Sequence, residues 1–201
     1  TVNLGIQLQA IVHELKLIGL KQVVVSPGSR NAPLVAAFLK DSHFQIHSFP
    51  DERSAAFAAM GMAQQSQHIC AFLCTSGSAL LNAFPAVCEA YYQRIPLLIM
   101  SADRPEELID QWDGQTMRQP GIFGDYVRGN LHFNAREFES HAIINFNKHI
   151  STQTKGPLHI NIALSDPIYE GVNAPMFQHF VFLEKEDKPA YFTPSKLPKI
   201  K

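Results

Sequence analysis

Apolar residues recur along this chain in two alternating periods. Leu4, Leu8, Ile11, Val12, Leu15 and Ile18 fall at helical spacing, and Gly19 stands where such a helix would end. The short run Gln22–Ser26 reads as a buried strand. The alternation then repeats as helix Ala32–Leu39, strand Phe44–Phe49, helix Glu52–Gln64, strand Ile69–Cys74, helix Ala79–Gln93 and strand Pro96–Ser101. After a loop-rich stretch come a helix near Glu137–Gln153 and a strand Pro157–Leu164. Strands rich in valine, isoleucine and leucine without polar alternation suit a sheet covered on both faces. Alternation with helices implies right-handed βαβ crossovers, so the predicted fold is doubly wound α/β, a mostly parallel sheet with helices on both faces.

From about Asn173 the periodicity fades and prolines recur at positions 175, 189, 194 and 198. The expected organisation is one domain over residues 1–172 and a linker over 173–201 toward a further carboxyl-terminal portion. A net charge of -1 gives no footprint for nucleic acid, and no apolar run approaches the roughly 18 residues of a membrane span. With neither a basic n-region nor an apolar h-region at the amino terminus, the expected location is the cytoplasm. Cys70, Cys74 and Cys88 read as small core residues.

In an open parallel sheet, the loops leaving the carboxyl ends of the strands gather on one edge. The chain places polar, chemically capable segments at those positions: Ser26-Pro27-Gly28-Ser29-Arg30-Asn31, Asp51-Glu52-Arg53, Thr75-Ser76-Gly77-Ser78, Ala102-Asp103-Arg104 and the stretch around Gln115. Pro27 and Gly28 make a sharp βα turn, and Ser29 or Asn31 can cap the helix that follows. Arg30 is not explained by the turn, because a cation beside a helix N-terminus opposes the macrodipole unless an anion balances it. Exposed backbone N–H groups and a guanidinium make a carboxylate or phosphate receptor. Asp51 is an ordinary helix-start acid. Glu52 precedes Ala55, Ala56, Phe57, Ala58 and Ala59, an apolar run able to desolvate its carboxyl group and make it a candidate acid or base.

Thr75-Ser76-Gly77-Ser78-Ala79 lacks the Gly-x-Ser-x-Gly elbow, which excludes a hydrolase of that type; its small residues let a flat ligand or a neighbouring backbone approach. Arg104 delivers a second guanidinium to the same edge, unless it only pairs with Asp103 at the surface. Neither Gly-x-Gly-x-x-Gly after a strand nor a Walker loop is present. His43 and His47 lie in or near a strand, without metal-ligand geometry.

Taken together, Ser26-Pro27-Gly28-Ser29-Arg30, Phe49-Pro50-Asp51-Glu52-Arg53, Thr75-Ser76-Gly77-Ser78-Ala79, Ala102-Asp103-Arg104-Pro105, Gln115-Thr116-Met117-Arg118-Gln119-Pro120-Gly121 and Gly156-Pro157-Leu158-His159-Ile160-Asn161 resemble the amino-terminal, pyrimidine-binding domain of the 2-succinyl-5-enolpyruvyl-6-hydroxy-3-cyclohexene-1-carboxylate synthase family. These are thiamine diphosphate-dependent transferases of menaquinone biosynthesis. The glutamate is common to most thiamine diphosphate decarboxylases; the two arginines single out this family.

The resemblance implies that Glu52 hydrogen-bonds N1′ of the cofactor's aminopyrimidine, with Pro27, Gly28, Ser76 and Gly77 also contacting the cofactor. It implies that 2-oxoglutarate is decarboxylated and the succinyl unit added to isochorismate. Arg30 and Arg104 would grip the two carboxylates of isochorismate, while Ser29 and Gln115 add polar contacts. Arg118 and Gln119 would be scaffold for their loop. Gly114 replaces an asparagine common in the family. The ligands of Mg2+ and of the diphosphate are expected in the missing carboxyl-terminal portion, since the family's Gly-Asp-Gly motif has only a partial echo in Asp113-Gly114. A homodimer or homotetramer, inactive as this fragment alone, is the corresponding expectation. Two other readings stand beside it. One is a non-catalytic α/β module that binds a carboxylated metabolite through Arg30 and Arg104. The other is an acetolactate synthase type of enzyme that needs Glu52 and is indifferent to the arginines.

Overall fold

The structure is a computed structural model and describes residues 3–151 and 155–169. The expected linker, 173–201, lies outside the described residues. In chain order the elements are α1 (Leu4–Leu17), β1 (Gln22–Val25), α2 (Ala32–Leu39), β2 (Gln45–Ser48), α3 (Glu52–Ser66), β3 (Cys70–Cys74), α4 (Phe84–Gln93), β4 (Leu97–Asp103), β5 (Asn130–Asn134), α5 (Ala142–Ser151) and β6 (Leu158–Ala163). The strands form one six-stranded sheet in the order β2-β1-β3-β4-β6-β5, and every pairing is parallel. The chain reverses its direction of travel across the sheet between β1 and β3, whose loops lead to helices on opposite faces of the sheet, α2 and α4.

Strand alternation divides the core into two layers. Val23 and Val25 of β1, Ala71 and Leu73 of β3, and Leu98 and Met100 of β4 face Leu8, Ile11 and Leu15 of α1 and Leu34 and Phe38 of α2. Their neighbours Val24, Cys70, Phe72, Cys74, Leu97 and Ile99 face the opposite way, onto Ala55, Ala56, Ala59 and Ala63 of α3 and Ala86, Val87 and Ala90 of α4. The alanine face brings the α3 backbone close to the sheet and so fixes where its first turn, with Glu52, stands at the sheet edge. Cys70 and Cys74 are buried in this layer, whereas Cys88 is only half-buried, on the flank of α4.

Three elements depart from the sequence expectation. The helix expected over Ala79–Gln93 is divided into a 3₁₀ segment, Gly77–Ala83, and α4, with Pro85 in the first turn of α4, where its missing N–H costs nothing. The loop-rich stretch contains β5, an edge strand whose Asn-Leu-His-Phe-Asn sequence is half-exposed and gives no buried apolar run. The last helix starts at Ala142, five residues beyond the expected Glu137. A residue distant in sequence explains that start: Glu14, buried on α1, accepts the N–H groups of His141 and Ile143, the latter at 2.9 Å. Its carboxylate caps the positive end of α5.

Replacing Glu14 by leucine leaves those N–H groups unpaired in the core. The expected cost is about 2–4 kcal/mol, with Glu14→Gln losing about half as much, measured by urea unfolding. Equal midpoints for wild type and Glu14→Leu would show that α5 does not depend on this cap.

Candidate functional site

Two glycines let the loops at the strand-order reversal touch. A Cβ on Gly28 would lie 2.5 Å from Cβ of Thr75, so the β1 and β3 loops can pack only with glycine there. Gly77 has φ +81°, and a Cβ on it would meet the Gln115 backbone at 3.1 Å, which brings the third loop against the same turn. The β1 turn is stitched by Asn31, whose Oδ1 accepts from the Gly28 N–H at 2.9 Å and whose Nδ2 donates to the Ser26 carbonyl at 2.8 Å. Asn31 stands at the N-cap position of α2 without capping it, because its side chain is used within the turn. Ser26 Oγ donates to the Phe49 carbonyl at 2.9 Å and ties this turn to the segment leading into α3.

At the start of α3, Asp51 accepts the Ser54 N–H at 2.7 Å, and its hydrogen bonding to Ser54 holds its carboxyl below the usual carboxylate range. Glu52 is the first residue of α3. Its side chain was expected to be shielded, and in this chain it is half-buried: the alanines that follow it turn onto the sheet, while Phe57 is exposed. The Glu52 carboxylate has no hydrogen-bond or ion-pair partner among the described residues. It lies close enough to the end of β3 for its charge to add to burial in pushing up the Cys74 thiol. In the turn after β3 Ser76 and Gly77 are buried, and Thr75 carries a buried Oγ1 with no hydrogen-bond partner among the described residues.

The two arginines have protein partners. Arg30 is buried; its Nη1 donates to the Leu164 carbonyl at 2.9 Å and lies 3.5 Å from Asp166, so the anion that its position demanded is supplied in part by the segment after β6. Arg104 does not pair with the Asp103 side chain through its guanidinium. Asp103 is fully buried and accepts the Arg104 backbone N–H at 2.8 Å, while the guanidinium Nη2 holds Asp113. Pro27, Ser29 and Gln115 are exposed on the same edge, and Gln115 adopts φ +55°.

Beneath these loops lies a polar network that the sequence reading did not anticipate. Gln119 is fully buried: Oε1 accepts the Gly77 N–H at 2.7 Å, and Nε2 donates to the Ala102 carbonyl at 3.2 Å and to Asn161 Oδ1 at 2.8 Å. Asn161 Nδ2 in turn donates to Asp103 at 2.7 Å and to His132 Nδ1 at 2.9 Å, and His132 Nε2 reaches Glu106 at 2.9 Å. Ser101 Oγ donates to Asn161 at 2.6 Å, so His159 Nε2, 2.9 Å away, must carry the proton that it gives to Ser101. The available signal was His159 and Asn161, two positions apart in an otherwise apolar strand, hence on one face and in need of buried partners. Burial, with the nearby His132, pushes His159 down to about 3; burial raises Asp103 despite its hydrogen bond from Asn161.

The arrangement places a carboxylate unpartnered among the described residues, a turn of small residues and two guanidinium groups along a single sheet edge. A separate hollow of about 360 Å³, lined by Phe84, Tyr91, Tyr92, Phe123 and Tyr126 among others, contains none of these residues.

Residues 8–122 match the family described as "Thiamine pyrophosphate enzyme, N-terminal TPP binding domain". The chain is 45% identical over 184 residues to a 2-succinyl-5-enolpyruvyl-6-hydroxy-3-cyclohexene-1-carboxylate synthase of Flavobacterium psychrophilum, a span of 90% of this chain and 33% of that protein. With the protein of the same name in Flavobacterium johnsoniae it shares 46% over 170 residues (82% and 30%), and with that of Cytophaga hutchinsonii 49% over 158 residues (75% and 28%). The chain spans about a third of the length of these relatives.

The buried network makes stability depend on acid. A histidine held down to about 3 from 6.5 contributes stability that is lost as pH falls below 6.5, because the unfolded chain then binds the proton first. That loss is about 3 kcal/mol between pH 6.5 and pH 4. Asp103 acts oppositely, since a raised carboxyl gains relative stability on protonation. His159→Gln should therefore flatten the fall in urea midpoint between pH 6.5 and 4; an unaltered slope would mean that His159 does not titrate on unfolding.

Proposed function

This chain belongs to the thiamine pyrophosphate enzyme family, and we propose that it forms the pyrimidine-side wall of the active centre in a cytoplasmic 2-succinyl-5-enolpyruvyl-6-hydroxy-3-cyclohexene-1-carboxylate synthase. The reaction is decarboxylation of 2-oxoglutarate followed by addition of the succinyl unit to isochorismate, in menaquinone biosynthesis. The observation that carries the reading is Glu52, a carboxylate left without a partner on the first turn of α3, beside a turn of small residues at the strand-order reversal.

The residues present suit the pyrimidine half of thiamine diphosphate. Glu52 would share a proton with N1′ of the aminopyrimidine, and the orphaned Thr75 Oγ1 gives the turn a further unmet hydrogen bond. Pro27, Gly28, Ser76 and Gly77 would form the wall against which the ring lies. When bound, the cofactor supplies the electron sink that decarboxylation of a 2-oxo acid requires. Arg104, and Arg30 through the nitrogens not given to Leu164, would hold the carboxylates of the diacid, where lysine could not offer a planar fit. Ser29 and Gln115 would add polar contacts. Mg2+ and the diphosphate would be held by residues beyond this chain, in a homodimer or homotetramer that completes the cleft.

In the whole polypeptide, Glu52→Gln should lower both C2 proton exchange of bound cofactor and product formation by at least about 100-fold with an unchanged circular dichroism spectrum. Retention of exchange would overturn the role of Glu52. The 201-residue chain alone should release no carbon dioxide from 2-oxoglutarate; robust release would overturn the half-site.

A further inference from the structure

We infer that Asp113 is the resident counter-ion of Arg104, and that by competing for the guanidinium it sets the affinity of Arg104 for a ligand carboxylate. The inference rests on the assignment of Arg104 to the substrate in the proposed function. Asp113 holds Arg104 by Nη2, and Arg104 Nε is buried without a hydrogen-bond partner among the described residues. Nε and Nη2 form one edge of the guanidinium, shaped for the two oxygens of a single carboxylate. Asp113 covers Nη2 only, and its other oxygen, Oδ1, accepts the Gly114 N–H at 2.9 Å. The neighbouring Arg118 shows the contrast: its Nε and Nη2 both reach one oxygen of Asp110, Oδ2, at 2.8 and 2.7 Å.

A free carboxylate that covers Nε and Nη2 together satisfies the donor that Asp113 leaves bare, so exchange favours the ligand. Asp113 therefore competes with that carboxylate for the guanidinium, and its charge is the resident alternative the ligand must displace. Asp113 lies in the loop whose Gln115 backbone rests against Gly77, so Arg104 and the turn assigned to the cofactor border the same loop.

The test compares Asp113→Asn, Asp113→Glu and Arg104→Gln in the whole polypeptide, reading the KM for isochorismate and its calorimetric affinity without 2-oxoglutarate. Asp113→Asn should tighten isochorismate by about three- to tenfold, while Asp113→Glu behaves as wild type. If Asp113→Asn leaves affinity unchanged or weaker while Arg104→Gln reduces it, Asp113 only orients the arginine; the inference fails and the substrate assignment stands. If Arg104→Gln leaves affinity unchanged, the substrate assignment itself is overturned.

Discussion

The edge of the sheet that carries the candidate site depends on one buried amide. Gln119 receives the N–H of Gly77 from the loop after β3 and gives its own protons to the β4 backbone and to Asn161 of β6. A loop that crosses strand ends carries peptide groups that cannot all be paired by the sheet, and each left unsatisfied in the interior costs about 1–3 kcal/mol. Glutamine meets this demand because it is donor and acceptor at once. A leucine of similar volume would leave the Gly77 N–H without its acceptor and take a donor from β4 and from β6. The loops bearing Gly77, Arg104 and Gln115 are tied to one another through this side chain, so the spacing of the candidate site depends on core hydrogen bonding.

The same economy continues outward from Asn161. Its amide joins Ser101 and Asp103 on β4 to His132 on β5, and His132 extends the chain to Glu106 at the surface. Asp103 keeps a buried carboxyl only because Asn161 and the Arg104 N–H supply donors. That second bond fixes the backbone at Arg104, so the arginine is placed from below by the network and from the side by Asp113. Polar groups within the sheet and charged groups on its edge are thus parts of one connected structure.

Local pattern was enough for the parallel strands of the sheet centre and for α1 to α3, because β-branched runs and 3.6-residue periodicity are written over consecutive residues. What escaped depends on residues distant in sequence. β5 is an edge strand whose pairing with β6 is invisible in its mixed composition. The start of α5 is set by Glu14, more than a hundred residues earlier. Gln119 was legible as scaffold by resemblance, but its three partners were not. The alternative weighed for Arg104 was a surface pair with its neighbour Asp103, whereas the β4 register buries Asp103 and leaves the guanidinium to Asp113 in the next loop. Glu52 was placed correctly at a helix start, yet its alanines desolvate the sheet-facing side of α3 and not the carboxylate.

That half-open carboxylate bears on how a site of this kind is controlled. A carboxyl that must share a proton with a ring nitrogen works best where water cannot compete for it. Within this chain Glu52 has one wall, made by the end of β3 and its small-residue turn, and one face toward solvent. Under the proposed function, the second wall is brought by the remainder of the assembled enzyme, so desolvation of Glu52 and completion of the cleft are the same event. Under that reading, sharing of a proton with N1′ would be coupled to assembly through the burial of Glu52.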